Sequence, residues 1–182
     1  DCLLSRGLGD VYKRQVYINY LLTPATVALA IPLYEQLQIL KKNAIAIFTG
    51  IIAGTVAGLA SVLGLSVLFG LTHEQYVTLL PKSITTAIGM GISEELGGIV
   101  TISVAVIVLT GIFGNIMAEY ILKWFHITDS VAKGIAIGTS SHAMGTAKAI
   151  EMGEVEGAMS GLSIAVAGMI TVIGANIFSI FY

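Results

Sequence analysis

Three stretches of the sequence contain no charged residue, and they limit the folds that are open to this chain. They cover residues 44–71, 96–117 and 157–182. Each is longer than the ~20 residues that a helix needs to cross a hydrocarbon core of ~30 Å. Because lipid offers the backbone no hydrogen-bond partner, each stretch is expected to be a helix that pairs its own N–H and C=O groups. The predicted fold class is all-α, a polytopic transmembrane helical protein.

The composition agrees with a membrane protein and excludes several functions. Only 11% of the residues are charged and 55% are hydrophobic, whereas a soluble domain typically has about 25% charged residues. The net charge of −2 gives no indication of nucleic-acid binding. Cys2 is the only cysteine, and His73, His126 and His142 do not have the spacing of metal ligands, so we predict neither a metal nor a cofactor.

The sequence also lacks the common signatures of catalysis. It contains no G-x-S-x-G elbow, no H-E-x-x-H motif and no phosphate-binding G-K-[ST] loop. We therefore predict that the protein is not an enzyme.

The first fifteen residues differ in composition from the rest. Both arginines, Arg6 and Arg14, lie there together with Cys2. A basic segment beside the membrane is one interpretation. The preferred one is that residues 1–15 are an atypical, non-native leader and that residues 16–182 form a single transmembrane domain.

Shorter and more polar segments roughly alternate with the long apolar ones. They cover residues 21–36, 80–95 and 138–151. Segments interrupted by Pro or Gly at membrane depth are expected to be buried in protein or to line an aqueous cavity. They predict broken or re-entrant helices, and the alternative is that they are kinks that only let helices pack.

Each of these segments has residues that favour the start of a helix. Thr23 can cap a helix with Pro24 at its first position, and Pro81 can do the same in the second segment. In the third, the cap would be Thr139, Ser140 or Ser141. Helix N-termini carry partial positive charge and free N–H groups, so three of them together suggest a site for an anion.

The second segment places a cation beside hydroxyl groups. Lys82 with Ser83, Thr85 and Thr86 would suit a carboxylate ligand, and the alternative is a lysine that reaches from the membrane interface to water. Glu94 is a candidate for coupling to a cation or a proton, or it marks the external mouth.

The third segment adds a titratable group to a hydroxyl-rich helix face. If a helix starts near Ser141, then Gly145 shares its face, while His142 and Thr146 share the next one. Histidine is the side chain that most readily exchanges a proton at physiological pH, so His142 is predicted to be proton-linked and aimed at the site. The alternative is a buried imidazole with its hydrogen bonds satisfied.

Charged residues follow at the far end of that helix. Lys148 is spaced to pair with Glu151, and Glu151 is spaced to reach Glu154. Lys148 and Glu151 are candidates for coupling or gating, or the whole ladder is a solvated cytoplasmic end. For Glu156 the solvated end is the preferred interpretation.

The lysines give an orientation. Cytoplasmic flanks of membrane spans gather Lys and Arg, which places residues 38–43 and 123–135 in the cytoplasm and 72–79 outside. Residues 80–95 would then enter and leave the membrane on the external side. An inverted repeat of 21–71 and 138–182 is suggested by their similar order of segments.

Three motifs, taken together and in order, resemble one family. The stretches "LTPATVALAIPLYEQL", "LPKSITTAIGMGISEELGGI" and "GTSSHAMGTAKAIEMGEVEGAMSGLS" are similar to motifs of the LrgB/CidB membrane proteins. The resemblance runs from about residue 17 to the C-terminus. Lys148 departs from it, because many members have arginine there, which would bind a carboxylate in a bidentate manner.

The resemblance implies a function and a setting. Plant relatives exchange glycolate and glycerate, and some bacterial pairs are associated with pyruvate uptake, so the expected function is transport of a small monocarboxylate, coupled to protons or cations. The alternative is a holin- or antiholin-like regulator of murein hydrolase export and autolysis, acting with a membrane partner of the LrgA/CidA type. The expected location is the bacterial cytoplasmic (inner) membrane, and a homo-oligomer is left open. Because family members are longer at the N-terminus, the chain is expected to be a truncated fragment.

The resemblance and the residues together give a set of expected substrate-binding residues. They are Pro24, Thr26, Lys82, Ser83, Thr85, Thr86, Ser141, His142, Gly145 and Thr146.

Overall fold

The described part of the chain is helical, as the sequence predicts. The computed structural model describes residue 31 and residues 34–182. Its helices, numbered here in chain order, are α1 (Leu37–Phe69), α2 (His73–Leu79), α3 (Thr86–Glu95), α4 (Val100–Trp124), α5 (Ser130–Met152) and α6 (Glu154–Phe178), and a 3₁₀ turn, Ser179–Phe181, follows.

Three helices in this described part are long and apolar enough to cross a membrane. They are Leu37–Phe69, Val100–Trp124 and α6 with its 3₁₀ extension, Glu154–Phe181. Each contains most of one of the stretches without charge, and the chain is therefore an integral membrane protein of the helical type. Many of their large apolar side chains are exposed, as expected of surfaces that face lipid.

Helix α5 is broken in its middle and folds back on itself. At His142 the backbone has φ 43° and ψ −143°, which no α-helix contains. A Cβ built on Gly145 would lie 2.9 Å from the side chain of Ile137, although eight residues of continuous helix would separate them by about 12 Å. Residues 130–141 and 143–152 are therefore two antiparallel arms, which together we call hairpin 2.

Helices α2 and α3 form a second hairpin. The Thr78 hydroxyl oxygen accepts a hydrogen bond from the N–H of Ile99, and the Ser103 hydroxyl donates to the Thr78 carbonyl oxygen. On the other arm, Gly89 approaches Pro81. We call residues 73–95 hairpin 1. Its turn is the segment between the two helices, which contains Lys82.

The two hairpins enter from opposite ends of the molecule. The open end of hairpin 1 lies beside the ends of α1 and α6, where the hydroxyl of Tyr76 donates to the Phe178 carbonyl oxygen and that of Tyr182 to the Leu71 carbonyl oxygen. We call this the tyrosine end. The open end of hairpin 2 lies beside the end of α4 and the start of α6, where a cavity is lined by Lys123 and Lys133, among others. We call this the lysine end.

This arrangement agrees with an inverted repeat. It places 38–43 and 123–135 at one end and 72–79 at the other, and which end faces the cytoplasm stays a prediction. Helix α1 runs from the lysine end to the tyrosine end and is followed by hairpin 1, whereas α4 runs the other way and is followed by hairpin 2. The units that correspond are residues 37–95 and 100–152. The sequence comparison paired 21–71 with 138–182 instead, and part of that first stretch lies outside the described residues.

The predicted helix starts differ from the observed ones. Pro81 lies in the turn of hairpin 1, and α3 begins later, at Thr86. Hairpin 2 begins at Ser130, where the Asp129 carboxylate caps the helix by accepting from the N–H of Ala132. The hydroxyls of Thr139 and Ser140 donate to carbonyl oxygens four residues earlier, so they do not cap a helix there. The first arm of hairpin 2 was not predicted, because residues 130–137 have no proline and no Gly-rich start that would mark an interrupted helix.

Candidate functional site

The tips of the two hairpins meet at a small polar cavity between α1 and α6. Hairpin 1 contributes Lys82 and Ser83 through its turn, and hairpin 2 contributes Thr139 just before its break. The spanning helices contribute Thr55 from α1 and Thr171 from α6. Among the described residues the lining is Thr55, Gly58, Leu59, Leu80, Lys82, Ser83, Ile84, Thr139 and Thr171.

The three threonines present the same chemistry to this cavity. The hydroxyls of Thr55, Thr139 and Thr171 donate to the carbonyl oxygens four residues earlier, at 2.8, 2.8 and 2.7 Å. Each hydroxyl proton is therefore used within its own helix. The oxygen lone pairs remain to accept hydrogen bonds from Lys82, from water or from a bound solute.

Lys82 is the charged group in the lining. Its Nζ donates to the Ser83 hydroxyl oxygen at 3.0 Å. Close by, α3 starts at Thr86 without a side-chain cap from Thr85, so the partial positive charge of that helix end is not neutralised locally. Both features favour an anion.

The cavity is almost closed in this conformation. Its volume is about 10 Å³, which is room for about one water molecule. A three-carbon acid would need the two tips to separate. Gly58 is part of the lining with no atom within 4 Å of a Cβ built on it, whereas Gly50 and Gly54 pack on the first arm of hairpin 2. The glycine repeat of α1 thus serves packing at two positions and leaves space for the cavity at the third.

The predicted residues of the second segment fall close together. Lys82 and Ser83 line the cavity, whereas Thr85 and Thr86 lie just beyond it, at the start of α3. Glu94 is exposed near the other end of α3, toward the tyrosine end and away from the cavity. Its role in coupling stays a prediction. The alternative above, that it marks an external mouth, stays a prediction as well.

His142 does not point into this cavity. Its Nε2 lies 2.9 Å from the backbone carbonyl oxygen of Ile107 on α4, and the ring is buried. A carbonyl oxygen only accepts hydrogen bonds, so Nε2 carries the hydrogen. This is the satisfied buried imidazole named above as the alternative. A proton-linked role for His142 stays a prediction.

The other predicted residues of hairpin 2 also contact neighbouring helices. Ser141 packs against Gly114 of α4, at a distance too short to allow a side chain there. Gly145 packs against the first arm, because a Cβ would overlap Ser141 and Ile137. Thr146 lies 2.7 Å from the Ser160 hydroxyl of α6. The structure therefore separates these three from Lys82, and the residue that represents hairpin 2 in the cavity is Thr139.

The predicted ion pair at the end of hairpin 2 is present and has a further partner. Lys148 Nζ lies 3.1 Å from Glu151 and 2.9 Å from Glu119 on α4. Glu119 also lies 3.5 Å from Lys123, one turn further along α4.

A larger cavity of about 450 Å³ opens at the lysine end. Its charged lining includes Glu119, Lys133 and Glu156. The interpretation of Glu156 as a solvated residue is wrong, because its exposed fraction is 7%. The reason is that the chain turns at Gly153 into α6, which places Glu156 against the first arm of hairpin 2, with Lys133 at 4.0 Å.

Five functional candidates were missed from the sequence, among them Thr139, which was expected only as a possible helix cap. Thr55 and Thr171 are single hydroxyls in long apolar stretches, and a threonine whose neighbours are all apolar is the only local signal. Glu119 and Lys133 read as ordinary charges at helix ends, so their pairing with hairpin 2 depends on the tertiary fold. The predicted Pro24 and Thr26 lie outside the described residues.

The fold and the cavity define a class of protein. The chain is an integral membrane protein in which two re-entrant hairpins of opposite orientation bring polar tips together between spanning helices. It belongs to the LrgB-like family, whose model matches residues 7–181.

Curated relatives are similar over most of the chain. The Bacillus subtilis protein YxaC, described as uncharacterized, is 42% identical over 147 residues, which are 81% of this chain and 64% of YxaC. The holin-like protein CidB of Staphylococcus epidermidis is 38% identical over 159 residues, 87% of this chain and 69% of that protein. The antiholin-like protein LrgB of Bacillus mycoides is 38% identical over 156 residues, 86% of this chain and 68% of that protein. The chain thus spans about two thirds of the length of these relatives. No solved structure matches it.

Proposed function

We propose that the chain forms the core of a membrane transporter for small monocarboxylates of the glycolate, glycerate or pyruvate type, coupled to protons or cations. The observation that carries the proposal is the meeting of two opposed hairpin tips at one polar cavity. Hairpins with polar tips at membrane depth are typical of transporters built from inverted repeats. A protein that only spans the membrane has no need of them.

The chemistry of the cavity suits such a solute. The ammonium of Lys82 and the uncapped start of α3 supply positive charge for the carboxylate. The oxygens of Thr55, Thr139 and Thr171 supply acceptors for a hydroxyl group. Because the cavity now holds about one water, binding must separate the tips, and separation toward one end at a time would give alternating access.

Uptake into proteoliposomes tests the proposal. The wild-type protein is expected to accumulate labelled glycolate, glycerate or pyruvate in a saturable manner. Lys82→Met removes the charge while keeping the length of the side chain, and it is expected to lower uptake at least about tenfold, as the loss of a charged hydrogen bond would. Lys42→Gln removes an exposed charge at the start of α1 and serves as the control. Equal uptake by the wild type, Lys82→Met and Lys42→Gln would show that Lys82 does not bind the solute.

A second function is favoured by the names of the relatives. CidB is named holin-like and LrgB antiholin-like, which supports a regulator of autolysis that acts with an LrgA/CidA-type partner. Of the two functions, the comparisons favour this one and the geometry favours transport. Lysis that depends on the partner, with no saturable uptake of any of the three acids, would establish the regulator and exclude the transporter.

The orientation in the membrane is part of the same proposal. The lysine end would face the cytoplasm of a bacterial cell, because cytoplasmic flanks gather lysine. The partner and a homo-oligomer stay predictions.

A further inference from the structure

The boundary between α4 and hairpin 2 contains a row of polar contacts that runs from the tip of the hairpin to the lysine end. Nearest the tip, His142 pairs with the Ile107 carbonyl oxygen. About two turns further along α4, Asn115 Nδ2 donates to the Met144 carbonyl oxygen at 2.8 Å. The Glu119–Lys148 ion pair, at 2.9 Å, closes the row.

The same boundary contains two cavities that share a wall. A cavity of about 80 Å³ lies beside Gly114 and Ser141, next in sequence to Thr139 of the central cavity. The cavity of about 450 Å³ lies at the lysine end. Leu122, which is 4% exposed, lines both of them and therefore separates them.

The other hairpin has no comparable boundary. The hydroxyls of Ser93 and Ser103 lie 2.7 Å apart and that of Ser103 also donates to the Thr78 carbonyl oxygen, all within fully buried surroundings. Breaking a buried hydrogen bond leaves an unsatisfied polar group, which is costly. A partly exposed ion pair contributes much less, because water screens it. Hairpin 1 is thus fixed to α4 by this buried network. Hairpin 2 is held to α4 by the buried His142 contact at its tip and by a partly exposed ion pair at the lysine end, so its open end is the part that can separate from α4.

We propose that the boundary between α4 and hairpin 2 is the route from the central cavity to the lysine end, with Leu122 as its plug and the Glu119–Lys148 ion pair as its latch. The proposal rests on the proposed transport function, since it gives the solute its path. A solute that left the hairpin tips would pass Ser141 and then Leu122 before it reached the wide cavity.

Cysteine accessibility tests this route without any transported solute. In a Cys2→Ser background, Ser141→Cys places one thiol in the smaller cavity. A maleimide that does not cross membranes is added to proteoliposomes from one side at a time, and the rate of labelling is measured. Ala136→Cys, in the wall of the same cavity, is the second reporter in case Ser141→Cys does not fold.

Two changes are expected to open the route. Leu122→Ala removes the plug and Glu119→Gln breaks the latch, and each is expected to raise labelling from the lysine end at least about threefold, in line with the modest strength of a partly exposed ion pair. The controls are Ile116→Ala, on the exposed face of α4, and Lys123→Gln, which removes the partner of Glu119 on its own helix.

The outcomes separate this inference from the proposed function. Unchanged labelling in both variants, or equal labelling from the tyrosine end, would overturn the route even if uptake of a carboxylate is observed. Faster labelling from the lysine end in the absence of any carboxylate uptake would support the route and contradict the substrate.

Discussion

His142 Nε2 and the Ile107 carbonyl oxygen lie 2.9 Å apart at the point where hairpin 2 reverses direction. The contact ties the tip of the hairpin to the middle of α4. The same residue has φ 43° and ψ −143°, a conformation that residues with a Cβ rarely adopt. One side chain thus holds a turn that its own backbone disfavours, and a glycine would adopt that turn more easily.

This combination predicts that two substitutions at position 142 differ in their effect on stability. His142→Ala and His142→Gly both lose the hydrogen bond to Ile107, but only glycine relieves the backbone, by about 1–3 kcal/mol. The glycine variant is therefore expected to be the more stable of the two by at least about 1 kcal/mol. Thermal unfolding in detergent micelles measures the difference. An alanine variant as stable as the glycine variant would show that the turn is not strained.

Close packing of α4 against hairpin 2 gives a second prediction. A Cβ at Gly114 would overlap the side chain of Ser141, so Gly114→Ala is expected to destabilise the protein by about 1–3 kcal/mol. Gly64→Ala is the matched control, because Gly64 lies within α1 with no atom within 4 Å of an added Cβ. There alanine is expected to stabilise the helix by up to about 1 kcal/mol. Melting temperatures that shift in the same direction for both would contradict the packing.

The buried hydroxyls between hairpin 1 and α4 give a third prediction. Ser103→Ala leaves the Ser93 hydroxyl and the Thr78 carbonyl oxygen without their partner, at a cost of about 1–3 kcal/mol. Because Ser93→Ala removes a member of the same pair, the double variant is expected to lose less than the sum of the single ones. Chemical denaturation of the four proteins measures this coupling. Strict additivity would mean that the two hydroxyls do not interact.

The spans and the interrupted segments could be predicted from the sequence because each depends on composition or local chemistry. The absence of charge over 44–71 is enough to require a helix in lipid. Likewise, the polar character of 80–95 is enough to exclude an ordinary lipid-facing span. Lys82 was chosen as a candidate for the same reason, because a cation beside hydroxyls at membrane depth needs a partner.

The residues that line the site could not be predicted as well, because they depend on which way each side chain points in the folded protein. Hairpin 2 reverses direction at His142. Because of this, His142 contacts α4 and Thr139 lines the central cavity. The predicted helix start near Ser141 instead directs His142 to the cavity and gives Thr139 no place in it. Local helix propensity does not distinguish these two arrangements. Thr55 and Thr171 come together only because α1 and α6 pack side by side.

The threonines of the cavity allow function to be separated from stability. Thr55→Val and Thr171→Val remove a hydroxyl at nearly constant volume. Each lost hydroxyl donates only to its own helix, and such bonds add little to helix stability. The free energy of unfolding is therefore expected to change by about 0.5 kcal/mol or less, and the melting temperature by less than about 3 °C.

Transport is expected to respond strongly to the same two changes. Loss of an acceptor that a solute hydroxyl needs is expected to raise the KM for glycolate or glycerate about fivefold or more, as for one hydrogen bond of about 1 kcal/mol. Pyruvate has no hydroxyl to donate, so its KM is expected to change less. Thr49→Val is the control, because Thr49 makes the same bond within α1, to the Ile45 carbonyl oxygen at 2.8 Å, but is exposed on the helix surface. An equal rise in KM for Thr49→Val would place the effect in the helix and not in the cavity.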